Sequence, residues 1–535
     1  MGTSWASPSA VLGPCVDASP PLTDHPAMAE KDISGPARVA AASGGADGSA
    51  LLSVRQAIEI IDGTPVHPRI ERLPLAASRG YRLARDLIAD RDYPPFAKSM
   101  MDGFAVRSAD LKDLKSPQIN ARRDWRTEKD PAPTVELKVV GEVAAGQMSQ
   151  RAVGPGEAIA IMTGAPVPEG ADAVVPIEDV LERGENTWGT GDRAAAPGDF
   201  RSSHSLQSTA PAGKASHIQL TRPLKPGAAI ARQGSDCTAG TVVLTHGVEM
   251  QAAQIAVAAT VGATEVDVFA RPRVGVLSTG DELVPVGELP GPAQIRNSNN
   301  LMLIALLQRM GCDVTNLGSA PDQPKVIRRA LEQGLRLDAL FVTGGMSMGA
   351  YDYVPRILAE MGVELKVTKV RIKPGKPFVF GVLTPNSDRS REPLSAEDQR
   401  ENGEGISDAS AAPPSRPTSY VFGLPGNPVS AFVCTLRLAS RLLARLSGGE
   451  PGERWVTGRI ETGLPANGPR EFYQPVVRHV PAGGTSAKSE LSQIRPLHWK
   501  GSADLFTLAS ANALLIRGEN EPPVPQGTMV RVLEF

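Results

Sequence analysis

Val274-Gly275-Val276-Leu277-Ser278 and Leu337-Asp338-Ala339-Leu340-Phe341-Val342 are two short apolar runs, each ending where polar or glycine-rich sequence begins. Between them the grammar alternates. Asn299 to Met310 has apolar residues at helical spacing and is closed by Gly311, Asp313 to Leu317 reads as a strand, and Gln323 to Gln333 reads as a helix closed by Gly334. Strands and helices alternating through short connections predict a parallel sheet covered by helices on both faces. In such folds the functional loops lie at the carboxyl ends of the strands.

The loops leaving these strands carry the chemistry. Ile372-Lys373-Pro374-Gly375-Lys376-Pro377-Phe378 sets two ammonium groups and free backbone N–H groups around one Pro-Gly turn, an arrangement suited to anions. Gly344-Gly345-Met346-Ser347-Met348-Gly349 leaves a buried strand and precedes a helix expected near Val354, so its N–H groups can form an anion nest. Gly423-Leu424-Pro425-Gly426-Asn427-Pro428 is a third turn-rich loop of this kind. Ser278-Thr279-Gly280-Asp281-Glu282-Leu283 and Asp352 add carboxylates beside the nest, as a Mg²⁺ bridging phosphates requires, although Asp281 equally suits a helix cap. Neither a GxxxxGK[ST] nor a GxGxxG motif is present, which argues against a standard P-loop and against dinucleotide oxidoreduction. The expected protein is an enzyme acting on an anionic substrate.

The totals narrow the classes further. A chain of 535 residues exceeds one core, and its net charge of −2 removes the bulk electrostatic case for nucleic acid. Cys15, Cys237, Cys312 and Cys434 lie far apart, which predicts reduced thiols in a cytoplasmic protein and no zinc site. No apolar run reaches the roughly 18 residues of a membrane span. Residues 1–52 are rich in Ala, Ser, Gly and Pro and read as a disordered tail, with Asp17, Asp24, Glu30 and Asp32 weighing against a transit peptide.

Ser53 is expected to cap a helix that begins at Val54, and a second helical piece is expected near residues 76–88. Asp102-Gly103 reads as a tight turn before an alternating strand, and the segment around it as a mostly-β domain with a loop insertion at 183–216. A helix is expected at 251–261 and a strand at 264–269. A polar block at 384–418 reads as a disordered insertion at a hairpin tip, followed by an amphipathic helix from Val429 to Leu446. The short strands after residue 451 predict a small terminal β-barrel or sandwich.

Several motifs together resemble the molybdopterin molybdenumtransferase family, meaning bacterial MoeA and the E domains of gephyrin and its plant counterparts. They are Pro94-Pro95-Phe96 with Met101-Asp102-Gly103-Phe104-Ala105-Val106, Ile161-Met162-Thr163-Gly164-Ala165-Pro166-Val167-Pro168, Leu277 to Leu283, and the three loops at Gly344, Lys373 and Gly423. The resemblance implies a multidomain α/β plus β protein. Its domain I is 71–88 with 241–270, serving as linker and dimerisation unit, and its domain II is the mostly-β 89–240. Domain III is the doubly wound, three-layer molybdopterin-binding unit 53–70 with 271–450, and domain IV is the β-barrel 451–535.

It also implies a homodimeric enzyme that takes adenylylated molybdopterin, inserts molybdate into its dithiolene, and releases AMP with Mg²⁺, giving molybdenum cofactor. A molybdopterin adenylyltransferase would be a reasonable partner for substrate hand-over. Carried over residue by residue, Ser347, Lys373, Lys376, Pro377 and Arg470 fall on the molybdate side, with Ser510 in the terminal domain. Thr279, Gly344, Gly345, Ser347, Pro425, Asn427 and Thr163 fall on the nucleotide side, with Asp352 and Glu282 as Mg²⁺ ligands. Asp102, Thr163 and Asp236 match positions that approach from the partner subunit, and Lys369 matches a family lysine. Asp102, Asp236, Glu282, Lys369, Lys373 and Lys376 form the implied catalytic set. Gln474 departs from the pattern, which has a second arginine at or near that position. A gephyrin-like scaffold without catalysis is the alternative, and the intact Asp102, Asp352, Lys373 and Lys376 weigh against it.

Overall fold

Six strands form the central sheet, the inner ones largely apolar and the edge strands β2 and β4 more polar: β1 (Arg273–Thr279), β2 (Asp313–Ala320), β3 (Ala339–Thr343), β4 (Glu364–Val367), β5 (Val379–Leu383) and β6 (Ser419–Leu424). The computed structural model of the chain describes residues 51–114, 134–183, 217–346, 352–384, 418–480 and 492–535. The expected N-terminal tail up to residue 50, nearly all of the two polar insertions, and Ser347 lie outside the described residues. The sheet order is β2-β1-β3-β6-β5-β4. Strands β2, β1, β3 and β6 run parallel, whereas β5 pairs antiparallel with both β6 and β4, so the sheet is mixed rather than purely parallel. The β5–β6 hairpin aligns Leu383 with Ser419 across the insertion.

Alternate residues of one strand feed two cores. Phe341 and Ala339 join the core beneath α1 (Val54–Gly63), α2 (Ser298–Arg309), α5 (Pro428–Cys434) and α6 (Ser440–Leu446). Leu340 and Val342 join the opposite core beneath α3 (Pro324–Gly334) and α4 (Val354–Glu360). This is the period-two pattern of a strand buried on both faces. Ser53 caps α1 through a capping box, its Oγ accepting from Gln56 N–H at 3.2 Å while Gln56 Oε1 accepts from Ser53 N–H at 2.9 Å. The expected helix from Val429 to Leu446 exists but is broken by a π-helical stretch at Thr435–Ala439.

Two local expectations are corrected. Residues 76–88 hold one short 3₁₀ turn, Leu75–Ala77, and then two short strands, Arg82–Leu83 and Leu87–Ile88. Gly80 at φ +80° interrupts any helix, and Glu265–Phe269 recruits Arg82–Leu83 as a sheet partner, so pairing overrides propensity. Gly103 belongs to the strand Gly103–Val106, all four residues of which are buried. Phe104 and Val106 enter one core and Ala105 another, so the run is sandwiched instead of alternating. A Cβ on Gly103 would sit 1.8 Å from Val175 O, a reason for glycine that is packing and not a turn.

That strand lies in a six-stranded sheet between Ala173–Pro176 and Glu157–Ile161, with Val135–Val143, His217–Leu220 and Leu181–Arg183 beyond. At the C-terminal end, Trp455–Ile460, Glu471–His479, Gln493–Pro496, Ala513–Arg517 and Met529–Glu534 close into a five-stranded barrel, because Glu471–His479 pairs with both Gln493–Pro496 and Ala513–Arg517. Ile372–Lys373 adds to the outside of Glu471–His479, in parallel.

The Phe422 ring is the hub of the central core, with Phe341, Phe380 and Phe378 centroids at 4.9, 5.3 and 6.4 Å. Phe422→Ala is expected to destabilise this domain by about 3–5 kcal/mol through cavity formation. Chemical denaturation of the variant should show the central-domain transition moving to lower denaturant.

Candidate functional site

From β1 the chain passes to β2 on one side and then crosses to β3 on the other, so the carboxyl ends of β1 and β3 bound a topological switch point. The loops there cannot fill the gap between them. Gly344 and Gly345 have φ of +89° and +60°, and a Cβ on Gly344 would stand 2.2 Å from Thr279 O. Thr343 Oγ1 donates to Pro425 O at 3.2 Å and accepts from Asn299 Nδ2 at 3.2 Å. Asn299 Nδ2 also donates to Gly426 O, so one side chain ties the β3 and β6 loops together.

A cavity of about 70 Å³ is lined by Thr279, Glu282, Asn299, Thr343, Gly344 and Gly426 among others. Thr279 is 2% exposed, yet its Oγ1 has no hydrogen-bond partner among the described residues, and neither does Asn299 Oδ1. Leaving such groups unpaired costs about 1–3 kcal/mol each. Two orphan polar atoms at one crevice mark it as a place for a polar ligand group. Asn299 was not singled out from the sequence; as the second residue of α2 it gains meaning only from the fold.

Acidic residues gather beside this crevice. Asp281 does not cap a helix: the short strand Leu283–Val284 follows it, Asn297 caps α2, and Asp281 Oδ1 accepts from Asp322 N–H at 2.9 Å. Asp322, also missed in the sequence, has its carboxyl pushed upward by burial and then by Asp281, Glu282 and Asp352. Its one sequence signal is its place just past the end of β2. The two expected Mg²⁺ carboxylates, Glu282 and Asp352, are thus brought into one electrostatic neighbourhood. No group of three or more His, Cys, Asp or Glu arranged to hold a metal ion exists among the described residues.

The lysine loop lies against the barrel. Pro374 and Gly375 are buried while Lys373 and Lys376 are exposed, so the turn is anchored and its ammonium groups are left accessible. A Cβ on Gly375, at φ +124°, would meet Cys434 Sγ at 2.5 Å, so the turn sits directly on α5. Burial pushes the Cys434 thiol up, which suits a packing role. Lys376 O accepts from Val370 N–H at 3.0 Å, and Lys369 O accepts from Leu52 N–H at 3.2 Å. Lys373 stands opposite Phe472 in the strand pairing, with its Nζ 4.7 Å from that ring's centroid, which brings it close to Arg470 in the chain. Pro377 is half-buried beside Lys376.

Asn427 Nδ2 donates to Ser502 Oγ at 3.0 Å, linking the β6 loop to the C-terminal region. Both residues line a broad cleft of about 900 Å³ that also includes Lys500, Phe506 and Ser510. Ser510 terminates the short helix Leu505–Ala509 and is exposed. Gln474 pairs with Leu515 inside the barrel wall.

Asp102, Thr163 and Asp236 lie apart from these loops, on the β-rich domain and the segment that follows it. Thr163 N–H and hydroxyl both donate to Asp102 Oδ1, at 2.7 and 2.8 Å. Asp236 N–H donates to Tyr93 O at 2.9 Å. Among the described residues no hydrogen bond or ion pair joins the three to the central loops. The Thr163 backbone N–H, and secondarily its hydroxyl, hold the Asp102 carboxyl below its usual range. A depressed folded-state value means this contribution is present above the unfolded pKa and is lost as pH falls through the folded one. In Thr163→Val the Asp102 titration midpoint, followed by carboxyl NMR, should rise yet stay below the ordinary value, because the stronger backbone donor remains.

Residues 52–262 match the MoeA N-terminal region (domain I and II), and residues 275–445 match a probable molybdopterin binding domain. A molybdopterin molybdenumtransferase of Synechococcus elongatus is 34% identical over 340 residues, 62% of this chain and 72% of its own. One from Haemophilus influenzae is 30% identical over 400 residues, 74% of this chain and 78% of its own. The crystal structure of a molybdopterin biosynthesis MoeA protein from Pyrococcus horikosii superposes with a TM-score of 0.64 at 25% identity, covering 91% of this chain and 99% of that one. No helix among the described residues is long and apolar enough to cross a membrane. With the switch-point crevice, the anchored lysine loop and the closed terminal barrel, these likenesses show that the chain belongs to the molybdopterin molybdenumtransferase family, a family of transferases.

Proposed function

We propose that the protein is a molybdenum insertase. It inserts molybdate into the dithiolene of adenylylated molybdopterin and releases AMP in a Mg²⁺-dependent reaction, giving molybdenum cofactor. The observation that carries this reading is the buried, unpartnered Thr279 hydroxyl facing Gly344 and Gly345 at the switch point, beside carboxylates and in the sheet whose strand β5 follows the lysine loop. A ligand oxygen there would satisfy the orphan hydroxyl, and glycine backbone can approach phosphate closely.

Thr279, Gly344, Gly345, Pro425 and Asn427 hold the nucleotide and pyrophosphate. Glu282 and Asp352 would hold Mg²⁺, which takes one or two carboxylates and completes its shell with substrate oxygens and water. When bound, Mg²⁺ supplies charge neutralisation at the phosphoanhydride. Lys373, Lys376, Pro377 and Arg470, with Ser347 and Ser510, receive molybdate, a dianion matched by ammonium and guanidinium donors. Lys373 and Lys376 hold charge on the reacting oxygens, the term expected to dominate when phosphoryl groups move. The active form is a homodimer, in which Asp102, Thr163 and Asp236 approach from the partner subunit. Its site of action is the cytoplasm, where a molybdopterin adenylyltransferase hands over the substrate.

Purified protein given adenylylated molybdopterin, Mg²⁺ and molybdate should release AMP in step with cofactor formation, and absence of both products would sink the reading. Lys376→Glu should abolish molybdate binding in calorimetry while circular dichroism and oligomeric state stay as in the wild type. Unchanged binding would refute the pocket.

A further inference from the structure

Lys373 is exposed, yet its ammonium has a fixed neighbour. Its Nζ lies 4.7 Å from the centroid of the Phe472 ring, in a register that sets Lys373 directly opposite Phe472. Phe472 in turn leans on Trp499, with centroids 5.3 Å apart and planes at 30°. Trp499 packs against the central core, and its Nε1 is buried without a partner among the described residues, so the indole is held by its faces and not by a hydrogen bond. Ammonium, phenyl and indole therefore form one column running from solvent into the core.

An unsupported lysine must lose the freedom of a four-carbon stem before it can hold an anion. A carboxylate neighbour would order it but would also compete for its charge. An aromatic face attracts the ammonium without neutralising it, and leaves N–H donors on the side away from the ring. We propose that Phe472, backed by Trp499, is a positioning residue that presets the Lys373 ammonium for an oxyanion. This rests on the reading of Lys373 as part of the molybdate site.

The test compares Phe472→Leu, Phe472→Tyr, Lys373→Met and the Lys373→Met/Phe472→Leu double variant. Phe472→Leu should weaken molybdate, by calorimetry and by KM, about three- to ten-fold, as loss of a partly exposed cation–π contact implies, with the KM for adenylylated molybdopterin near wild type. Phe472→Tyr should restore wild-type behaviour, and Phe472→Leu should add nothing in the Lys373→Met background. Unchanged molybdate affinity in Phe472→Leu, or equal weakening with and without Lys373, overturns the proposal.

A second readout does not depend on activity. In protein with ¹³C-methylated lysines, the Lys373 resonance, assigned by its loss in Lys373→Met, should lie upfield through the Phe472 ring current and return to the ordinary position in Phe472→Leu. A Lys373 signal at the ordinary position in the wild type overturns the positioning role even where molybdate binds. An upfield signal in a protein that binds no molybdate supports the column and condemns only the functional reading.

Discussion

The crevice exists because the backbone at Gly344 passes so close to the carbonyl of Thr279 that only a hydrogen fits between them. Everything that reaches this point is arranged around the contact. Gly345 faces the Thr279 side chain, and Gly423 in β6 leaves room for Met346, whose Sδ would stand 2.4 Å from a Cβ placed there. Side chains that would plug the gap are excluded on steric grounds, so the Thr279 hydroxyl remains buried and unpaired among the described residues.

The second half of the site depends on the barrel. The lysine turn carries no secondary structure long enough to hold itself, since Ile372–Lys373 is a two-residue strand. It is fixed from below by Cys434 on α5 and from the side by Glu471–Phe472. Tyr473, next along that strand, is fully buried, and its hydroxyl accepts from Arg437 Nε at 2.7 Å, while Arg437 also pairs with Glu453. Barrel, linker and central helix are thus joined by a buried polar network on the strand to which the lysine turn is paired.

How much of this could be read in the chain depended on the range of the interaction responsible. The alternation from Val274 to Val342 was legible because β1 and β3 are apolar runs and each helix is punctuated by glycine. The glycine loops and the lysine pair were legible because their chemistry is local. Residues 76–88 were misread because their Ala, Leu and Arg content favours a helix, whereas the distant strand Glu265–Phe269 takes up Arg82–Leu83. Asp322 and Asn299 stayed hidden because neither has a motif of its own, and each matters only through what the sheet order brings beside it. Closure of the barrel rests on the pairing of Glu471–His479 with Ala513–Arg517, which no local pattern announces.

Glu471–His479 is at once a stave of the closed barrel and the neighbour to which Ile372–Lys373 is zipped. A barrel without edges cannot give up one stave piecemeal, so the lysine turn takes its register from a strand that is itself held by two neighbours.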